Sequence, residues 1–189
     1  MANVKLSLAE MELVNNAEWI LTKNRIIEKV YALFGHLSEQ YKTHASNAGI
    51  PEEVLKQSPK ISRGEFYEGL PWVMLDYPRY FKEENFFAIR TFFWWGNFFS
   101  ITLQLKGRYQ QYFALLYPFL QQEEWFVCVN EAEWQHHFGA NNYSPLSAIT
   151  LTEAMELPFI KLAKKLNLSE WESAEKKLAD AFHQLISQF

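Results

Sequence analysis

The stretch FFAIRTFFWWGNFFSITLQLK, residues 86–106, is the densest aromatic run in the chain. In its second half, apolar and polar residues alternate from Phe99 to Lys106. Because successive side chains of a strand point to opposite faces, this alternation predicts a half-buried β-strand. Gly96 and Asn97 both tolerate a positive φ, so we expect a turn there that closes an antiparallel hairpin.

The length of that turn decides which face of the hairpin carries Arg90. With a two-residue turn, Arg90 faces Leu103 on the core side and needs a partner such as Asp76, because an unpaired buried guanidinium is costly. With a three-residue turn, Arg90 joins Thr102 and Gln104 on the more polar side. The second register is favoured because it buries no charge.

Either register leaves aromatic rings on the more polar face, which is the candidate site for a small anionic or aromatic ligand. The guanidinium of Arg90 suits a carboxylate or phosphate, although a helix of the same chain is the more common cover for such a face. Pockets that are apolar with a few convergent polar groups are typical binding sites. The candidate residues are Arg90, Phe92, Trp94 and Trp95 of the hairpin, with Lys60, Arg63 and Arg79 in the flanking loops.

Composition indicates an ordinary globular domain. The chain has 189 residues, 49% hydrophobic and 21% charged, with an unusually high aromatic fraction of 17%. Its net charge is −4 and no basic run occurs, so we expect no nucleic-acid partner. The single cysteine excludes an internal disulfide framework and favours a reducing compartment. The N-terminus has no signal-peptide pattern, so the expected location is cytoplasmic.

We expect no membrane-spanning segment. Residues 86–106 are about long enough to cross a bilayer, but Arg90, Asn97 and Gln104 interrupt the run. Its two-residue alternation also argues for strands and against a membrane helix.

A long helical pattern precedes the hairpin. The spacing of Ser7 and Glu10 predicts a capping box, and the pattern continues to about residue 45 with a possible break at residues 15–16. This stripe either packs across its own domain or forms the seam of a homodimer, and the sequence favours neither. The apolar residues that recur with seven-residue spacing are Ile20, Ile27, Phe34 and Tyr41, with Val30 and Leu37 between them.

The remaining patterns predict an α+β fold with a mostly antiparallel sheet of four to five strands around the hairpin. Beyond the hairpin, we expect strands at 71–77, 125–129 and 148–151, helices at 109–120, 131–138 and 152–167, and an amphipathic helix to the C-terminus. As a single domain, the chain divides into a helical arm (1–46), an irregular linker (47–70), a sheet-rich part (71–151) and C-terminal helices (152–189).

The sequence contains no strong catalytic motif. It has no G-x-S-x-G elbow, phosphate-binding loop or paired-cysteine zinc pattern, and we expect no cofactor. Glu133, His136 and His137 have helical spacing for metal ligands, but a di-iron site needs a second Glu-x-x-His pair that is absent. Three functions remain: a non-enzymatic protein that binds itself or a partner through the N-terminal helix, a ligand-binding protein at Arg90 and Trp94, or an enzyme without a recognisable motif.

Overall fold

One antiparallel sheet of seven strands organises the structure, a computed structural model that describes residues 4–189. The strand order is β1-β2-β3-β4-β7-β5-β6. The expected α+β class is confirmed, while four to five strands understates the sheet. The strands are β1 (Lys60–Tyr67), β2 (Leu70–Phe81), β3 (Phe86–Trp94), β4 (Phe98–Lys106), β5 (Phe126–Cys128), β6 (Tyr143–Pro145) and β7 (Ile160–Asn167).

Six α-helices accompany the sheet within the described residues, and short 3₁₀-helices connect some of the elements. None of the helices in residues 4–189 has the length and apolar character needed to cross a membrane. The helices are α1 (Leu8–Val14), α2 (Ala17–Ala45), α3 (Glu52–Leu55), α4 (Phe113–Leu120), α5 (Leu151–Met155) and α6 (Ala174–Ile186).

The two faces of the sheet are covered differently. On the helix face, which carries Thr91 and Phe93 of β3, α2 and α6 pack over the main core. On the loop face, which carries Arg90, Phe92 and Trp94, two smaller apolar clusters form beneath a loop. We call this loop, residues 129–142 between β5 and β6, the cover loop.

The hairpin has the three-residue connection. Trp94 pairs with Phe98 and Arg90 pairs with Thr102, so Arg90 lies on the loop face. Gly96 adopts a φ of 70°, which glycine tolerates best. The favoured register is confirmed, but the reason given for it is wrong. Arg90 is largely buried on this face and is neutralised there by Asp76.

The heptad stripe of α2 packs mainly on its own sheet. Val30, Phe34, Leu37 and Tyr41 have no exposed surface. The Tyr41 hydroxyl lies 3.0 Å from the Thr91 hydroxyl. Phe34 and Leu37, which the seam alternative would place between two copies, therefore pack in the core of their own chain.

The predicted linker, residues 47–70, is more ordered than its Gly and Pro content suggested. It contains α3 and the edge strand β1. The expected strand over 71–77 extends beyond Pro78 to Phe81, with an irregular register between Asp76 and Arg79. The helix predicted over 109–120 is confirmed in part, as a 3₁₀-helix followed by α4.

Three other predictions for the second half are wrong. No strand forms over 148–151, where a 3₁₀-helix leads into α5, and the helix expected over 152–167 divides into α5 and β7. The expected helix over 131–138 is irregular loop, because its backbone groups bond to side chains of the sheet. The C-terminal helix α6 forms as expected, with Leu178, Phe182 and Leu185 buried.

Candidate functional site

An ion pair between neighbouring strands lies at the centre of the loop face. Asp76 of β2 is opposite Arg90 of β3 in the sheet register. The guanidinium donates through Nε to Oδ1 at 2.7 Å and through Nη2 to Oδ2 at 3.3 Å. The side chains are 11% and 8% exposed, respectively. This two-bond geometry neutralises both charges, so Arg90 already has an anionic partner.

The cover loop is fastened to the sheet by side chains from several strands. Lys161 of β7 donates from Nζ to the carbonyl oxygens of Glu133 at 2.8 Å and Gln135 at 2.5 Å. Tyr67 of β1 accepts a hydrogen bond from the backbone N–H of His136 at 2.7 Å. Lys106 of β4 forms an ion pair with Glu133. These bonds replace the helical hydrogen bonds expected for residues 131–138.

Burial shifts the pKa of several side chains beneath the cover loop. The pKa of Lys161 falls to about 8, chiefly because burial disfavours the ammonium ion. Burial, with the nearby charges of Lys161 and Arg90, lowers the pKa of His136 well below its usual value, so this imidazole is neutral at pH 7. Burial also raises the pKa of the Tyr143 hydroxyl and of the Cys128 thiol.

The buried side chains beneath the cover loop do not resemble a nucleophilic site. The Cys128 thiol contacts the carbonyl oxygen of Asn130 and Oδ1 of Asn142, both at 3.5 Å. A thiol with a raised pKa is a weak nucleophile, because the thiolate is the reactive form. The geometry is consistent with the interpretation of Cys128 as a small core residue.

An open cleft of about 500 Å³ lies at one edge of the cover loop. We call it the Arg90 cleft. Phe81 and Phe86 form one aromatic wall, with ring centroids 4.5 Å apart, and Trp134 of the cover loop contacts Phe86 at 5.9 Å. The charged residues that line it are Lys60, Asp76, Lys82, Glu83, Arg90, Lys106 and Glu133.

The structure brings together only part of the predicted ligand site. Lys60 and Arg90 line the Arg90 cleft. Phe92 and Trp94 share the loop face with Arg90 but are buried in an apolar cluster that Phe138 of the cover loop contacts.

The other three candidates lie elsewhere. Trp95 packs against the main core on the helix face. Arg63 turns toward α2, where it pairs with Glu28 at 3.1 Å. Arg79 donates to the carbonyl oxygen of Ser58 at 3.0 Å. Lys60, Arg63 and Arg79 were assigned to loops, but all three lie on strands.

The candidate metal ligands do not converge. Glu133 pairs with Lys106, while the His136 ring packs against Phe92 with centroids 4.9 Å apart. Nδ1 of His137 accepts from the backbone N–H of Gly139 at 3.2 Å. Within residues 4–189, no group of three or more His, Cys, Asp or Glu side chains is placed to hold a metal ion.

Sequence reasoning missed the residues that complete the loop face. The buried position of Lys161 was missed because residues 152–167 were interpreted as one helix, and a lysine of such a helix would be expected on its solvent side. The alternation of Ile160 and Leu162 with Lys161 and Ala163 was the available signal for a strand. No sequence pattern near Trp134 indicated that its ring would contact Phe86.

The first described residues form a second candidate site. All residues from 4 to 22, which we call the N-terminal arm, are exposed. They include α1 and the beginning of α2. None of the residues of α1 is buried. Nine large apolar side chains of the arm are between 48% and 93% exposed: Val4, Leu6, Leu8, Met11, Leu13, Val14, Trp19, Ile20 and Leu21.

Comparisons with known proteins found no relative of this chain. No family model matches the chain. No curated protein and no solved structure matches it.

Proposed function

We propose that the protein is a non-enzymatic self-associating protein whose N-terminal arm binds the arm of a second copy. The observation that carries the proposal is the continuous exposure of nine large apolar side chains over residues 4–22. Monomeric soluble proteins rarely expose contiguous apolar patches of more than a few hundred Å². An apolar arm of this kind is typical of an interaction site.

The apolar residues of α1 support a packing partner along the helix. Leu8, Met11 and Val14 follow three-residue spacing and lie on one side of the helix axis, while Leu13 lies on another. An apolar stripe on a surface helix normally packs against another surface, and none of these residues is buried. A helix of 7 residues is also marginal in water on its own, so packing against another surface would stabilise it.

The available apolar area fits a small dimer interface. Burying a large apolar side chain completely removes on the order of 100 Å² of apolar surface from water. The nine side chains of the arm are between 48% and 93% exposed, so together they can bury on the order of 500 Å². That is close to the roughly 600 Å² per partner at the lower end of specific interfaces.

Charge favours a second copy over a membrane surface. The arm contains one cation, Lys5, and three carboxylates, so it lacks the basic face that binds anionic lipids. The cations that follow the arm, Lys23 and Arg25, already pair with Glu65 and Glu18 of their own chain, so they do not supply a basic face either.

Sedimentation analysis of the full chain tests the proposal. We expect a dimer at concentrations well above the micromolar range. Leu21→Asp and Leu13→Asp should each weaken it on the order of 100-fold, because an interface would bury an unpaired carboxylate. The matched control is Leu115→Asp on α4, since Leu115 and Leu21 are each 51% exposed. That variant should remain dimeric.

Two outcomes would overturn the proposal. One is a wild-type protein that remains monomeric under these conditions. The other is a dimer that persists in both arm variants, which would place the interface elsewhere. Thermal melts by circular dichroism check that every variant is folded, as we expect because all three substituted residues are exposed.

A further inference from the structure

We propose that the Arg90 cleft binds a small aromatic carboxylate, independently of self-association. Its volume of about 500 Å³ is in the range of small-molecule sites. The cleft combines an aromatic wall with several ammonium groups, the pairing that an aromatic ring with one negative charge requires. Three observations support this assignment, and a buried amide beside the cleft can report binding.

The balance of charge in the cleft leaves one positive charge unmatched. Asp76 neutralises Arg90, and Glu133 neutralises Lys106. Three charged residues that line the cleft have no ion-pair partner within residues 4–189: Lys60, Lys82 and Glu83. Two ammonium groups and one carboxylate leave an excess of one positive charge, which suits a ligand with a single negative charge.

The aromatic side chains of the cleft remain accessible. Phe81 is 37% exposed and Trp134 is 55% exposed, although both contact Phe86. Arg90 lies 5.5 Å from the ring centroid of Trp134, so a cation–π contact holds the indole beside the ion pair. A flat ring that enters the cleft can stack on Trp134 or on the Phe81–Phe86 wall.

A buried amide beside the cleft lacks a hydrogen-bond acceptor. Gln104 is 4% exposed, and its Nε2 has no partner among residues 4–189. Gln104 lies opposite Ala88, which on β3 is between the cleft residues Phe86 and Arg90. Its Nε2 has no exposed surface, and Gln104 does not line the cleft, so this amide is a neighbouring reporter of a bound ligand and not a direct contact.

The position of Lys60 completes the assignment. Lys60 is opposite Asp76 at the beginning of the edge strand β1, and its residue is exposed. It can therefore move toward a ligand without breaking an ion pair of the fold. Binding would use Lys60 for the charge and the aromatic wall for the ring, since the Lys82 ammonium already lies 5.4 Å from the ring centroid of Tyr80.

Titration with phenylacetate tests this site by amide NMR on the full chain. We expect shifts in the resonances of the Gln104 side-chain amide and the Trp134 indole N–H. The variants Gln104→Leu and Trp134→Phe identify these two resonances. Acetate lacks the ring and phenylethanol lacks the charge, so each should bind at least tenfold more weakly. Lys60→Ala should weaken phenylacetate binding about tenfold, as expected for the loss of one charge-assisted bond.

Lys29→Ala is the matched control, because Lys29 is an exposed lysine on α2 outside the cleft. It should bind phenylacetate as the wild type does. The proposal is overturned if millimolar phenylacetate shifts neither resonance, if shifts are confined to the N-terminal arm, or if Lys60→Ala binds as tightly as the wild type. Equal binding of phenylethanol would also overturn it, since the charge would then contribute nothing.

Discussion

Arg90 lies where a ligand-binding arginine was expected, but its charge is already matched. Its two hydrogen bonds to Asp76 satisfy the carboxylate, and both side chains are about nine-tenths buried. A buried ion pair is needed for stability, because removing one partner leaves the other charge without compensation. Substituting Arg90 alone would therefore report on folding before it reported on any ligand.

This gives a prediction for the ion pair. Arg90→Ala should lower the free energy of unfolding by about 3–5 kcal/mol, since Asp76 would remain buried and unpaired. The double variant Arg90→Met with Asp76→Leu should lose much less, because no uncompensated charge remains. Urea denaturation of the wild type and both variants measures the difference. Equal losses in the single and double variants would contradict a coupled pair.

The same residues show what sequence could and could not predict at this scale. The turn chemistry of Gly96 and Asn97 located the hairpin and left two registers, of which the one on the loop face is confirmed. The argument for that register assumed that a polar face is open to water. The exposure of Arg90 depends on the cover loop, which begins 23 residues after the end of β4. No local pattern near Arg90 indicates that this loop covers the face.

Among the secondary-structure elements, helices with strong local signals were predicted best. The capping box of Ser7 and Glu10 and the stripe of α6 both appear as expected. The strands β1 and β7 were missed, because Lys, Arg and Glu side chains obscured their alternation. Their pairing with β2 and β4 then overrides local propensity.

The cover loop has an anchor that can be removed. Lys161→Met deletes the two hydrogen bonds to the carbonyl oxygens of Glu133 and Gln135. We expect faster hydrogen exchange for residues 129–142 and unchanged exchange in β3 and β4, because local opening need not unfold the sheet. Lys164→Met is the control, since Lys164 lies on the same strand but pairs with Glu123, outside the cover loop. Unchanged exchange of the cover loop in Lys161→Met would show that Lys161 does not anchor it.

The same variant gives a pH signature. The pKa of Lys161 is about 8 in the folded protein and 10.5 for an ordinary lysine. Between these values the unfolded state binds more protons than the folded state, so this lysine makes the free energy of unfolding rise with pH. The wild type should therefore gain stability relative to Lys161→Met from pH 8 to pH 10.5. A constant difference over this range would contradict the shift.

At the scale of the whole molecule, the two faces of the sheet have different roles. The helix face buries the main core under α2 and α6, and it determines the fold. The loop face buries ionisable groups under a segment without regular structure, so its stability depends on charge and pH. The N-terminal arm contributes nothing to either core, because all of its residues are exposed. Substitutions in the arm should therefore leave the fold unchanged.

The free energy of unfolding should decrease in mild acid, because His136 binds a proton more readily in the unfolded state. Burial keeps this imidazole neutral in the folded protein, whereas an ordinary histidine binds a proton below pH 6.5. Below that pH the unfolded state takes up a proton that the folded state excludes, so the free energy of unfolding falls by up to about 1.4 kcal/mol per pH unit. Carboxylates with a lowered pKa, such as Glu153, lose their contribution only below pH 4.5.

Urea denaturation between pH 6.5 and pH 5 measures this dependence. His136→Phe should flatten it, because the new ring cannot bind a proton and can still pack against Phe92 and Tyr67. His36→Gln is the control at an exposed position of α2, and it should follow the wild type. If His136→Phe loses stability in acid as steeply as the wild type, the proton is taken up elsewhere, and the cover loop does not exclude it from His136.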